Sequence, residues 1–269
     1  MATITSIHKR LGRIGAISVL AIVLLGLWLL RFSTGERSLP SLIGSRPRLK
    51  VTLRQGAFVG TEDKESVPQV LEQFLGIPYG QSTAGERRFR EPLPVNPSTQ
   101  TFDAKEYGYR CPAGPPDGAS EDCLNLNIYR PTKRPSGKKL PVLVHIYGGS
   151  FNFGWDRTRQ VSNMVAWSTE PFIGISFNYR VGALGFLPSN LTAKEGLLNA
   201  GLKDQALLLE WVQENIAEFG GDPADVTLMG SSAGAHSVCY IYFYPEDLCQ
   251  GCSCFCITLV LFLNALHAG

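Results

Sequence analysis

Histidine is scarce in this chain: four in 269 residues, at His8, His145, His236 and His267. An excess of either charge is also missing, with 25 Lys and Arg against 23 Asp and Glu. A net charge of +2 provides no broad basic surface, so nothing electrostatic recommends a nucleic-acid partner. There is no internal repeat, no acidic tail and no second apolar run of spanning length, which excludes collagen, coiled coils and multi-span membrane proteins. Cysteine is absent before Cys111, and five of the seven crowd into Cys239 to Cys256. The spacing Cys249-x2-Cys252-x-Cys254-x-Cys256 lacks a matching second pair at zinc distance, so no metal site is predicted. What is present, 28 Gly, 17 Pro, 14 Phe and 9 Tyr, describes a loop-rich globular chain long enough for one large domain or two small ones.

Residues 14–30, IGAISVLAIVLLGLWLL, are seventeen in a row without charge. As a helix they are roughly 25 Å long, slightly short of the bilayer hydrocarbon. Lys9, Arg10 and Arg13 precede the run and Arg31 follows it, which predicts a cytoplasmic residue 1–13 segment, a signal-anchor and a translocated remainder. The alternative is a cleaved signal peptide, but the run is longer than such a core and RFSTGERS offers no cleavage motif. Residues 31–47 read as a stalk. Translocation fits Asn190-Leu191-Thr192, a sequon not blocked by proline and a glycosylation candidate. It also fits Cys111 and Cys123, which flank CPAGPPDGASEDC; an oxidising compartment closes such a loop, and the alternative is two buried thiols.

Beyond the stalk, strand-like and helix-like segments alternate. Strands are predicted over Val51 to Val59, Phe74 to Tyr79, Leu124 to Tyr129, Leu140 to Tyr147 and Phe172 to Tyr179. Residues 204–219 place Leu208, Trp211, Val212, Ile216 and Phe219 at helical spacing, and Gly220-Gly221 stops the helix. A short strand, VTLMG, follows at 226–230. Antiparallel strands first, then buried strands separated by helices, predict an α/β fold with a largely parallel centre.

The chemistry lies where that last strand ends. Gly230-Ser231-Ser232-Ala233-Gly234 is G-x-S-x-G between a strand and a helix. A tight elbow there strains the middle residue and projects its hydroxyl, while the glycines let strand and helix approach. The helix N-terminus aims backbone N–H groups at developing negative charge. About eighty residues upstream, His145-Ile146-Tyr147-Gly148-Gly149-Ser150-Phe151 follows a buried strand, and Gly-rich backbone at such a place supplies further oxyanion donors.

With these stretches the chain resembles the type-B carboxylesterases, the cholinesterase-like branch of the α/β-hydrolases. The resemblance rests on FLGIPYG (74–80), SEDCLNLNIYRP (120–131), HIYGGSFNFG (145–154), NYRVGALGF (178–186), NAGLKDQALLLEWVQENIAEFGGDP (199–223) and VTLMGSSAGA (226–235). It implies an α/β-hydrolase fold, Ser232 as acyl nucleophile, and the N–H groups of Gly149, Ser150 and Ala233 as oxyanion hole. It implies a small-molecule carboxylic ester as substrate, no cofactor, and Cys111 with Cys123 as the first disulfide. Ser150 replaces the third glycine of the family's run; its backbone donor survives unless the position needs a positive φ. Ser231 stands where an acidic residue is common.

The family's triad runs Ser, then Asp or Glu, then His, with the last two far downstream. After Ser232 only His236, His267, Glu246 and Asp247 are present as candidates. His236 lies one turn along the helix that the elbow serine points away from, and His145 ends a buried strand, so both read as structural. Past Val238 the resemblance fades into CYIYFYPEDLCQGCSCFCITLVLFLNALHAG, which reads as foreign sequence. The expected organisation is therefore an anchor at 14–30, a partial carboxylesterase domain at 48–238 truncated after the elbow, and an atypical tail at 239–269. Three functions are weighed: a serine esterase, an extracellular binding module on a dead hydrolase fold, and a truncated product with little or no turnover.

Overall fold

The computed structural model describes residues 49–65, 68–114, 118–134 and 137–243. The apolar run at 14–30, the stalk and the cysteine-rich segment from Cys249 lie outside them, so the membrane anchor does as well. No helix among the described residues is long and apolar enough to cross a membrane.

Chain order gives β1 (Lys50–Leu53), β2 (Gly56–Val59), β3 (Thr61–Asp63), β4 (Leu71–Pro78), β5 (Thr101–Asp103), β6 (Asn125–Pro131), β7 (Leu140–Ile146), α1 (Val161–Trp167), β8 (Ile173–Phe177), α2 (Gly182–Phe186), α3 (Asn190–Lys194), α4 (Ala200–Asn215), β9 (Gly221–Gly230) and α5 (Ala233–Phe243). The run expected as one strand from Val51 to Val59 is a hairpin, with β1 antiparallel to β2 and Leu53 opposite Gly56. Gly56 has φ +132°, and a β-carbon there would meet the Phe102 ring at 2.6 Å, so the chain turns where only glycine fits.

The main sheet runs β3-β4-β6-β8-β7-β9. Its β3, β4, β6 and β8 pair antiparallel, whereas β7 pairs parallel with both β8 and β9. The antiparallel-then-parallel order matches the reading of the sequence. Alternation along the strands sends Ile128, Val144, Ile175 and Leu228 to one face, where Leu208, Trp211, Val212 and Phe219 of α4 and its final 3-10 turn bury against them. On the other face α1 seats Val161 and Val165 over Gly174, where a β-carbon would come within 2.6 and 2.7 Å of their methyl groups.

Helix α4 starts four residues before the expected 204. Gly201 is no helix breaker here: a β-carbon on it would strike the Phe186 ring, so it lets α4 close on the 180–186 segment. Helix α5 continues past Val238 to Phe243, with Val238 and Ile241 buried in the core. Among the described residues β9 pairs only with β7 and forms the outer strand of the sheet.

Candidate active site

Strand β9 ends at Gly230, and α5 begins at Ala233, so Ser231 and Ser232 make the whole connection. Ser232 adopts φ +53°, the left-handed region, at a cost of about 1–2 kcal/mol for a non-glycine residue. It is exposed, and its carbonyl accepts from the His236 N–H at 3.1 Å while that of Ser231 accepts from Gly234 at 2.9 Å. The turn closes because its flanks are bare. A β-carbon on Gly230 would overlap the Gly234 carbonyl, and one on Gly234 would overlap the Ile146 carbonyl at the end of β7.

The neighbouring strand β7 delivers the second component. Beyond Ile146 the chain turns through Gly148, whose hypothetical β-carbon lies 3.0 Å from the Ser232 Cβ and closer still to the Ser231 carbonyl. Gly149 takes φ +128°, and its carbonyl accepts from the N–H groups of Asn152 at 2.9 Å and Phe153 at 3.1 Å. Ser150 has φ +54° and Phe151 φ +60°, so the serine in place of glycine occupies a left-handed position while keeping its N–H. The Phe151 carbonyl accepts from Gly182 at 2.6 Å, and its ring lies 4.8 Å from that of Phe186. Ala233, at the first position of α5, is buried below Ser232, where helix N–H groups lack intrahelical acceptors.

Neither histidine of the described region joins this cluster through its side chain. His236 is exposed on α5. His145, 2% exposed on β7, has an Nδ1 with no hydrogen-bond partner; burial, then the nearby Arg159 charge, lowers its pKa to about 4. Buried carboxylates are engaged elsewhere. Asp204 receives the Arg180 guanidinium at 2.8 and 2.6 Å and the Arg180 N–H at 3.0 Å, pinning the segment after β8 to α4. Asp156 accepts from Asn127, and its N–H donates to Asn178 at 3.0 Å. Sequence reasoning did not single out Arg180 or Asp204; both sit inside the stretches that carried the resemblance.

Cys111 and Cys123 are joined by a disulfide. Beside it, the Tyr109 carbonyl accepts from Asn125 at 2.9 Å, and the Arg110 guanidinium lies 5.3 Å from the Trp155 ring centre. Asn190 is exposed at the start of α3, where Ser189 and Thr192 form a reciprocal cap with 3.0 Å bonds. No group of metal-ligating side chains clusters among the described residues.

A profile described as the carboxylesterase family matches residues 47–248. The chain belongs to the carboxylesterase family. Its match extends beyond Val238, as helix α5 does. This carboxylesterase-family chain is 42% identical over 214 residues to Secreted lipase 4 of Gibberella zeae, covering 77% of the chain and 37% of the relative. It is 41% identical over 219 residues to an acetylcholinesterase of Danio rerio, covering 76% and 34%. A solved thermophilic PNB esterase superposes with TM-score 0.64 at 34% identity, over 71% of this chain and 40% of that one. The fold is thus that of α/β-hydrolase esterases. The chain spans 34% to 40% of the length of these relatives.

Proposed function

We propose that Ser232 is the acyl nucleophile of a carboxylic ester hydrolase. Its hydroxyl attacks the ester carbonyl, the N–H groups of Gly149, Ser150 and Ala233 hold the oxyanion, and the acyl-enzyme that forms is opened by water. The observation that carries this is the left-handed Ser232 between β9 and α5, with the glycine turn against its Cβ. Gly230 and Gly234 make the elbow possible. No cofactor enters this chemistry, and the partner is a small carboxylic ester rather than a nucleic acid.

The 269-residue polypeptide by itself has little or no turnover in this reading. Among the described residues neither His145 nor His236 offers a base to Ser232, and His267 falls in the stretch read as foreign to the family, whose acid and histidine follow the nucleophile in chain order. A binding module on a dead hydrolase fold is the weaker reading, because the strained serine and the donor turn are both kept. The same reading assigns residues 14–30 to a signal-anchor and 31–47 to a stalk; the esterase domain expected over 48–238 runs on to 248 by the family match, which leaves 249–269 as the atypical tail. The domain is then lumenal or extracellular and membrane-tethered, with Asn190 glycosylated. Positive residues before the apolar run support this orientation, and relatives named as secreted lipases support a translocated domain.

Hydrolysis of p-nitrophenyl butyrate by the full chain and by Ser232→Ala is the test. A rate near that of the variant, with slow fluorophosphonate labelling at Ser232, supports the whole reading; a serine site without its base keeps about 10³–10⁴ over water. Turnover of about 10 s⁻¹ that vanishes in Ser232→Ala keeps the nucleophile and rejects inactivity. Turnover that survives the substitution rejects the nucleophile.

A further inference from the structure

The connection from β7 to α1 has two ends with different surroundings. Its first residues form the glycine turn beside Ser232. Its last ones carry Arg157, Arg159 and Gln160 into a separate cleft of about 460 Å³, not lined by Ser232. That volume lies within the range of preformed small-ligand sites.

Two aromatic side chains line the cleft with much of their surface open to water, Trp167 at 68% and Tyr107 at 37% exposure. Tyr107 is held in place. Its hydroxyl is 3.1 Å from that of buried Tyr129, and the Arg157 guanidinium lies 4.7 Å from its ring centre. Charge in the lining is balanced, Asp63 and Glu65 against Arg157 and Arg159, so neither a cation nor an anion is favoured. Planar amides complete the wall, with Asn163 Nδ2 donating to Gln160 Oε1 at 2.5 Å. Among the described residues no aliphatic side chain lines the cleft, which disfavours a lipid chain or an apolar peptide.

We propose that this cleft binds a neutral oligosaccharide. A pyranose ring has an apolar C–H face that stacks on an exposed aromatic ring, and a rim of hydroxyls that both donate and accept. Amide, guanidinium and carboxylate groups each offer two planar hydrogen-bonding positions to such a rim. The site stands independently of the role given to Ser232, which is not in its lining: its residues come from α1 and the segment just before it, Tyr129 of β6, the β3 end and the segment around Tyr107.

The experiment titrates maltohexaose, cellohexaose and xylohexaose into the purified full chain, following tryptophan fluorescence and heat. At least one is expected to bind saturably and to shift the Trp167 emission, with affinity about tenfold weaker in Trp167→Ala and reduced in Asn163→Ala. Trp167 is exposed, so an unchanged melting temperature is expected for its variant and separates lost binding from lost folding. No saturable binding below about 10 mM by any of the three, or equal binding by Trp167→Ala, overturns the proposal. So does preferential binding of citrate or spermidine, because it would show a site for charge.

Discussion

Tyr147 and Tyr179 hold each other by exchanged hydrogen bonds: the Tyr147 hydroxyl donates to the Tyr179 carbonyl at 2.8 Å, and the Tyr179 hydroxyl donates to the Tyr147 carbonyl at 2.7 Å. Their rings stack with centroids 4.3 Å apart. Both residues are fully buried just past the ends of β7 and β8, so the pair fixes the spot from which the glycine turn leaves the sheet. Each Tyr→Phe change leaves a buried carbonyl without that donor and is expected to cost about 1–3 kcal/mol. The double variant should lose less than the sum, because the two bonds share one pair of rings. Urea denaturation of the four proteins measures this, and strict additivity would show the bonds to be independent.

Gly234→Ala should be severe. The new methyl overlaps the Ile146 carbonyl and lies 2.8 Å from that of Tyr147, both backbone atoms that cannot swing aside. Forcing α5 away from β7 is expected to cost about 2–4 kcal/mol, within the range for overpacked and strained sites. Gly196→Ala is the control: nothing lies within 4 Å of its added carbon, so only its left-handed φ of +71° is penalised, by about 1–2 kcal/mol.

Ser232→Gly should stabilise the fold. Relief of the left-handed serine returns about 1–2 kcal/mol, and the freer unfolded glycine takes back about 0.4–1 kcal/mol. The net gain of about 1 kcal/mol corresponds to roughly 2–4 °C in melting temperature. Ser150→Gly should behave the same way, since its φ is nearly equal. A loss of stability in Ser232→Gly would mean that its side chain contributes more to packing than its backbone costs.

His145 gives the fold an acid limb. Its folded pKa is lowered to about 4 from an ordinary value of 6.5. Between those two values the unfolded chain binds the proton and the folded one does not, so stability rises with pH there. It is complete above about pH 6.5 and is lost as pH falls towards 4, by about 3 kcal/mol in total. Stability curves at pH 7 and pH 4.5 for the full chain and His145→Gln test this. The variant should lose less on acidification.

Much of this architecture was legible in the residues. The apolar runs of β7 and β8 and the 3.6-residue pattern of α4 reflect burial on a face, which is a property of sequence periodicity. The elbow was legible because its glycines are required by backbone contacts between β9, α5 and β7. The β1–β2 hairpin was hidden, since Gly56 interrupts an alternation that otherwise continues through it. Helix α1 was hidden because it is seven residues long, has no side-chain cap, and owes its position to the bare Gly174 beneath it. The left-handed Ser150 was legible only through the family's glycine at that position: a serine does not itself announce a positive φ, and the bonds that hold the carbonyls on either side of it, Phe153 to Gly149 and Gly182 to Phe151, come from the fold.

The position of β9 at the rim of the sheet bears on motion near Ser232. In a strand paired on one side, amides directed at the partner are protected and alternate ones face outward without that protection. Deuterium uptake along Val226–Gly230 should therefore alternate residue by residue, slow where the N–H points to β7 and fast where it points away. Among the described residues the elbow thus hangs from a ribbon secured along one margin, held by β7 and α5.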